Sequence, residues 1–146
     1  MKKPETRQKY KAWAKSHPEI IASNLAARSA GNQRLQREKP TKLEKKLHGI
    51  LTNFGIPFEP YALIKPKFIV DARVGNIIIQ ADGDYWHGHP RLEPLTNRQL
   101  SQQRRDKAQD AYLTRRGFTV IRIWESDLSV DLLRTTLQAH NLIMTT

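Results

Sequence analysis

Phe68-Ile69-Val70-Asp71-Ala72-Arg73-Val74-Gly75-Asn76-Ile77-Ile78-Ile79-Gln80-Ala81-Asp82 is the stretch on which the fold turns. Its two halves are β-branched and apolar, and Gly75-Asn76 between them suits a tight hairpin turn. Strand alternation puts Phe68, Val70 and Ala72 on one face and Ile69, Asp71 and Arg73 on the other. Ile78, Gln80 and Asp82 likewise share one face of the second strand. A carboxylate inside an apolar strand is costly unless it is exposed, paired or bound to a cation. The hairpin therefore predicts Asp71, Gln80 and Asp82 gathered at one end of a sheet, a set of oxygen donors that suits a hard divalent cation.

Working outward, Thr41-Lys42-Leu43-Glu44 is a capping box ahead of a helix. Leu43, Leu47, Ile50, Leu51 and Phe54 recur along it at helical spacing, and Gly55 supplies the stop. Downstream, residues 97–116 are helical in composition, Phe118 to Trp124 is a further strand, and Ser126 is placed to cap a last helix from Asp127 to about His140. The predicted order is α-β-β-loop-α-β-α, an α/β domain over residues 41–146. Residues 1–40 differ in kind. Residues 5–37 read as one or two helices broken at Ser16-His17-Pro18, with Pro18 suited to a first helical position. Gly31-Asn32 is expected to break or end the second helix. Ile20, Ile21, Leu25 and Leu35 form an apolar stripe too thin for a core of its own, so a basic helical arm is expected, with the boundary at Lys39-Pro40.

Among 146 residues the net charge is +11, with a pI near 10.2. Residues 1–40 carry ten Lys/Arg against three acids, so +7 of that excess sits in the arm. Such a field attracts polyanions, which nominates nucleic acid as partner without saying what is done to it. The chain has no Cys, which excludes disulfides, thiolate zinc sites and thiol catalysis. The basic start is followed by no apolar run of signal-peptide type, and no stretch of about 18 apolar residues is present. A cytoplasmic protein without membrane partners is the expectation.

Asp82-Gly83-Asp84-Tyr85-Trp86-His87-Gly88-His89 follows the second strand and concentrates acids, aromatics and imidazoles in one loop. Two His without Cys and off helical spacing make a poor zinc pattern. His89 reads as an incidental loop residue and Trp124 as core. His87, beside a candidate cation site, suits a general base or proton carrier near neutral pH.

The region from Thr41 to Leu128 resembles the very short patch repair endonucleases and the homing endonucleases known by their EDxHD motif. Both are branches of the PD-(D/E)XK nucleases. The likeness rests on the Glu44 helix, Val70-Asp71, the Gly83-x-Tyr85-Trp86-His87 loop, Arg104-Arg105-Asp106, Gly117-Phe118, and Val120-Ile121-Arg122-Ile123-Trp124-Glu125. It implies a restriction-endonuclease-like core, a central mixed sheet flanked by helices, in a bacterial or phage-encoded protein.

The resemblance also implies roles. Asp71 would be the principal ligand of Mg²⁺ (or Mn²⁺), joined by the backbone carbonyl of Ala81. His87 would activate the attacking water, with Glu44 and Asp106 orienting metal-bound waters and the imidazole. Asp82 stands where this fold usually has a Lys and is expected as a further metal ligand. Gln80 takes the usual second-acid position, where its carbonyl would hold the metal or a water. Tyr85 and Trp86 would stack on bases. Arg73, Arg104 and Arg105 are expected phosphate contacts. The repair enzymes carry a structural zinc with Cys ligands; Asp84 and Ser126 stand near two of those positions here, so no structural zinc is expected. The implied activity is cleavage of double-stranded DNA, of homing or phage type. The alternatives are a G·T mismatch nickase and a DNA-binding module with a degenerate nuclease fold.

Overall fold

The computed structural model describes residues 4–64 and 68–145. Lys2 and Lys3, which contribute to the expected basic arm, lie outside them. The chain runs α1 (Pro4–Ser16), α2 (Pro18–Glu38), α3 (Lys42–Asn53), β1 (Glu59–Ile64), β2 (Phe68–Val74), β3 (Ile77–Asp82), α4 (Asp84–His87), α5 (Asn97–Arg115), β4 (Thr119–Trp124) and α6 (Val130–Ala139). Short 3-10 turns occupy Pro90–Leu92 and Glu125–Asp127.

The sheet is mixed, in the order β1-β2-β3-β4. The first two pairings are antiparallel and β3 pairs with β4 in parallel. The hairpin closes at Val74↔Ile77 with Gly75 at φ +60, a conformation that glycine adopts without penalty. Helices cover both faces, so the expected α/β architecture with a central mixed sheet is present. On one face Leu47, Ile50 and Leu51 of α3 and Leu133 and Leu137 of α6 pack on Ala72, Ile77, Ile79 and Ile123. Leu47, Leu51, Leu133 and Leu137 are fully buried, and each contributes about 1.5–3 kcal/mol relative to an exposed side chain. On the other face Leu113 of α5 packs with Ala62, Ile64, Val70 and Ile78.

Thr41 and Glu44 form the predicted reciprocal capping box at the start of α3. Three local expectations are corrected. Gly31-Asn32 does not end α2, which continues to Glu38: a glycine inside a helix lowers its propensity but breaks nothing by itself. The last helix begins later than expected, because Ser126 lies in a 3-10 turn and Ser129 is the cap, accepting from Leu132 N. Strand alternation through 68–74 is also interrupted. Phe68 and Val70 join the α5-side cluster, whereas Ala72 and Val74 join the α3/α6 side, so the pleat changes phase at Asp71.

The second half of α2 lies against β1, with Gln33 Nε2 donating to the Tyr61 carbonyl at 2.7 Å. Ser29 is buried on that side. Among the described residues, no helix is long and apolar enough to cross a membrane.

Candidate active site

The hairpin stops pairing before its strands end. Ala72↔Ile79 is the last backbone pair toward the site, and side chains take over beyond it. Asp71 N donates to Gln80 Oε1 and Ala81 N donates to Asp71 Oδ2, both at 2.8 Å. β2 and β3 thus part at Asp71, and its carboxylate lies in the gap. In a strand the N–H and C=O of one residue point to the same side. The Ala81 carbonyl therefore also faces the side from which β2 has withdrawn. Gln80, expected to turn its carbonyl to a metal or water, uses that oxygen to hold the Asp71 backbone instead.

Asp71 is partly buried, and its carboxyl is pushed up to about 6. Loss of hydration is the main cause; the Ala81 hydrogen bond opposes it, and the nearby charges of Glu44 and Asp82 add to it. Glu44 comes from the first turn of α3. Its Oε2 accepts from Thr41 N at 3.0 Å and from the Tyr61 hydroxyl at 2.8 Å. His48, one turn further along α3, bonds through Nε2 to the Asp71 carbonyl at 2.7 Å.

α5 supplies the other half. Thr96 caps it with a second capping box, closed by Gln99. Asp106 and Asp110, four residues apart, sit on one helical face. Asp106 Oδ2 lies 2.7 Å from His87 Nδ1, and its Oδ1 accepts from Gln102 Nε2 at 2.8 Å. His87 ends the one-turn helix α4, closed by Gly88 at φ +72. Carboxamides of α5 clamp that turn: Gln99 Nε2 donates to the Tyr85 carbonyl at 2.7 Å and Gln103 Nε2 to the Gly88 carbonyl at 2.9 Å. Asp84, buried at the start of α4, accepts from Arg91 and from Ser126 N. Burial alone would raise its carboxyl, yet those bonds outweigh it and hold Asp84 below the ordinary range.

Arg122 of β4 joins the site although its motif alone gives it no role there. Its guanidinium bonds Asp110 at 2.8 Å, Asp82 Oδ1 at 2.9 Å and Gln109 at 2.8 Å, with Asp106 Oδ1 at 3.8 Å. Burial works against its charged form, but the Asp110 bond and the fields of the three acids more than compensate. Asp82 is still pushed up by burial, even with Arg122 and His87 beside it. The signal in the sequence is an Arg in a mostly apolar strand, which the structure pairs in register with Gln80. Tyr61 and His48 give no such signal, because the strand and contacts that recruit them are not visible in local sequence.

Ligand-type atoms of Asp82, His87 and Asp106 lie within 4.8 Å of one another, a group able to hold a metal ion. As arranged, however, His87 Nδ1 and Asp106 are spent on each other and Asp82 is spent on Arg122. The strand gap holds a second set of oxygen donors, of the kind that a hard cation takes. It offers Asp71 Oδ1, to which no described residue donates, and the Ala81 carbonyl, amid carboxylates whose mutual repulsion a cation would relieve.

A cleft of about 440 Å³ connects the two halves, lined by Glu44, Ala81, Gly83, Tyr85, Trp86, His87 and Glu125 among others. Tyr85 and Trp86 stand on its rim, 61% and 58% exposed, and the Arg98 guanidinium lies 5.2 Å from the Trp86 ring. Arg104 and Arg105 are exposed on α5. Arg73 is at the hairpin end, its Nε donating to the Gly75 carbonyl and its guanidinium over Phe118. His89 caps the Pro90–Leu92 turn and packs on Trp124.

Comparison with protein-family models and with curated proteins finds no match. Among solved structures, the chain is similar to the catalytic domain of the homing endonuclease I-Bth0305I. The identity is 20% and the TM-score 0.49, over 70% of this chain and 93% of that one.

Proposed function

We propose that this chain is a metal-dependent endonuclease with a restriction-endonuclease-like core, hydrolysing phosphodiester bonds of double-stranded DNA. The observation that carries the reading is the His87–Asp106 pair, whose His87 lines a cleft together with Glu44 and Ala81. Asp106 accepts the Nδ1 proton, which fixes the tautomer and leaves Nε2 as the basic nitrogen. Gln102 on the other Asp106 oxygen keeps that carboxylate from turning away. His87 then takes the proton of the attacking water, and Asp106 stabilises the imidazolium that results.

Asp71, the Ala81 carbonyl and, on release from Arg122, Asp82 would hold Mg²⁺ or Mn²⁺. Such an ion supplies phosphate charge neutralisation and a more acidic water. Glu44 accepts hydrogen bonds from waters at the cleft wall. Tyr85 and Trp86 offer exposed ring faces and edges to bases, while Arg104, Arg105 and the basic arm meet phosphates. Supercoiled plasmid should be nicked or linearised in Mg²⁺, spared in EDTA, and cut slowly or not at all by His87→Ala. A second reading, a DNA-binding module without catalysis, draws on Gln80 and Asp82 both being committed to protein partners. Tight plasmid binding without cleavage in either Mg²⁺ or Mn²⁺ selects it.

A further inference from the structure

We propose that Tyr61 is a positioning residue for Glu44, held in place by α2, so that the N-terminal helical segment is a working part of the catalytic site. The inference rests on the endonuclease reading and adds to it a dependence of turnover on residues outside the α3–α6 unit.

Tyr61 sits inside β1 with φ +50, a left-handed backbone conformation that bulky side chains rarely adopt. Such strain persists where the surroundings over-determine it, and it gathers at functional sites. Tyr61 is buried and fixed at three points. Its carbonyl accepts from Gln33 Nε2 of α2 at 2.7 Å. Its hydroxyl donates to Glu44 Oε2 at 2.8 Å. Its ring meets the His48 ring edge-on, with centroids 5.0 Å apart and planes at 89°.

The location matters as much as the strain. The register runs Pro60↔Ala72 and Ala62↔Val70, so Tyr61 faces Asp71 across the β1–β2 pair, where the pleat changes phase. The left-handed residue brings the phenol to Glu44, while His48 secures the Asp71 carbonyl. Thr41 N and the Tyr61 hydroxyl converge on the same Glu44 oxygen, Oε2. The second oxygen, Oε1, receives no bond from a described residue and is the one left for the cleft. Burial and the Glu44 bond also raise the phenol above its ordinary range, so it stays a neutral donor at working pH. A glycine or asparagine would hold the same backbone with less strain but would not reach Glu44.

The test uses the full chain with Tyr61→Phe, Gln33→Leu, Glu44→Asp and the Tyr61→Phe/Glu44→Asp double variant. Cleavage is measured in Mg²⁺, together with duplex affinity at several salt concentrations and melting temperature. Tyr61→Phe keeps ring and backbone and loses only the donor. We expect its kcat to fall about tenfold with KM and salt dependence unchanged. Gln33→Leu should lower kcat in the same pattern. Tyr61→Phe should cost nothing further in the Glu44→Asp background, where the carboxylate is too short to meet the phenol. Wild-type kcat in Tyr61→Phe, or independent losses in the double variant, overturns the proposal. An effect of Gln33→Leu confined to DNA affinity overturns the part played by α2. Absence of cleavage by the wild type sinks the endonuclease reading instead. The Tyr61–Glu44 link is then judged from melting temperatures, where additive shifts reject it and coupled shifts sustain it.

Discussion

Replacing Asp71 by Asn should make the protein more stable while abolishing cleavage. The folded chain raises the Asp71 carboxyl to about 6 from an ordinary 3.8, because burial and the charges of Glu44 and Asp82 disfavour its ionised form. For an acid with a raised folded pKa, the folded state binds more protons than the unfolded state between the two values, so stability falls as pH rises through that window. Below pH 3.8 both states are protonated and the residue contributes nothing. Above about pH 6 both are ionised and the full penalty is present, about 3 kcal/mol. Asn carries no charge, and its Oδ1 can still accept from Ala81 N, so the bond that fixes the strand gap survives. The expected gain at about pH 7.5 is up to about 3 kcal/mol, or roughly 6–12 °C in melting temperature for a chain of this size. It should shrink toward zero by about pH 4. Thermal melts of wild type and Asp71→Asn from about pH 4 to 8, with and without Mg²⁺, measure it. Mg²⁺ should narrow the gap by stabilising the folded wild type alone. A variant that melts at or below the wild type at the alkaline end of that range, or a difference that does not change with pH, would refute the reasoning.

Other outcomes follow from the same geometry. His87→Ala should slow cleavage by roughly two to four orders of magnitude, and wild-type-like turnover by that variant would argue against a base at that position. Arg122→Gln leaves Asp82, Asp106 and Asp110 without their shared cation, in a place where the Arg122 side chain is only 18% exposed. Urea unfolding should show a loss of about 3–5 kcal/mol, and a loss under about 1 kcal/mol would mean that the guanidinium is dispensable. Removing residues 1–16 deletes six Lys/Arg and one acid. The slope of log affinity against log salt should fall by about 0.9 for each phosphate that the shortened chain no longer neutralises, with little change in melting temperature; an unchanged slope would deny α1 a role on DNA.

Much of this arrangement is legible in the sequence because it rests on local rules. The hairpin, α3 and β4 announce themselves through turn residues, a capping box and runs of β-branched side chains, and α5 through its composition. β1 does not, since Glu59-Pro60 at its start reads as a strand breaker and pairing with β2 is what makes the segment extended. The pleat reversal at Asp71 is invisible for the same reason: it depends on Tyr61 across the pair, which no window along β2 contains. The loop acids, His87 and Asp106 stand out by residue type, and the structure brings His87 and Asp106 into contact. Asp82 reads from sequence as a donor to metal, but its partner Arg122 lies 40 residues away, and only the parallel β3–β4 register, which sets Arg122 beside Gln80, brings the two within reach.

β1 is an outer strand of the sheet, where a free row of backbone groups would invite another chain to add on. Pro60 has no N–H to offer there. The carbonyls of Pro60 and Tyr61 are met by Arg37, in a long contact of 3.5 Å, and by Gln33. The second helix therefore blunts a border that would otherwise be adhesive. Trimming the chain past Lys39 would uncover it and leave copies of the shortened chain open to strand addition and loss of solubility.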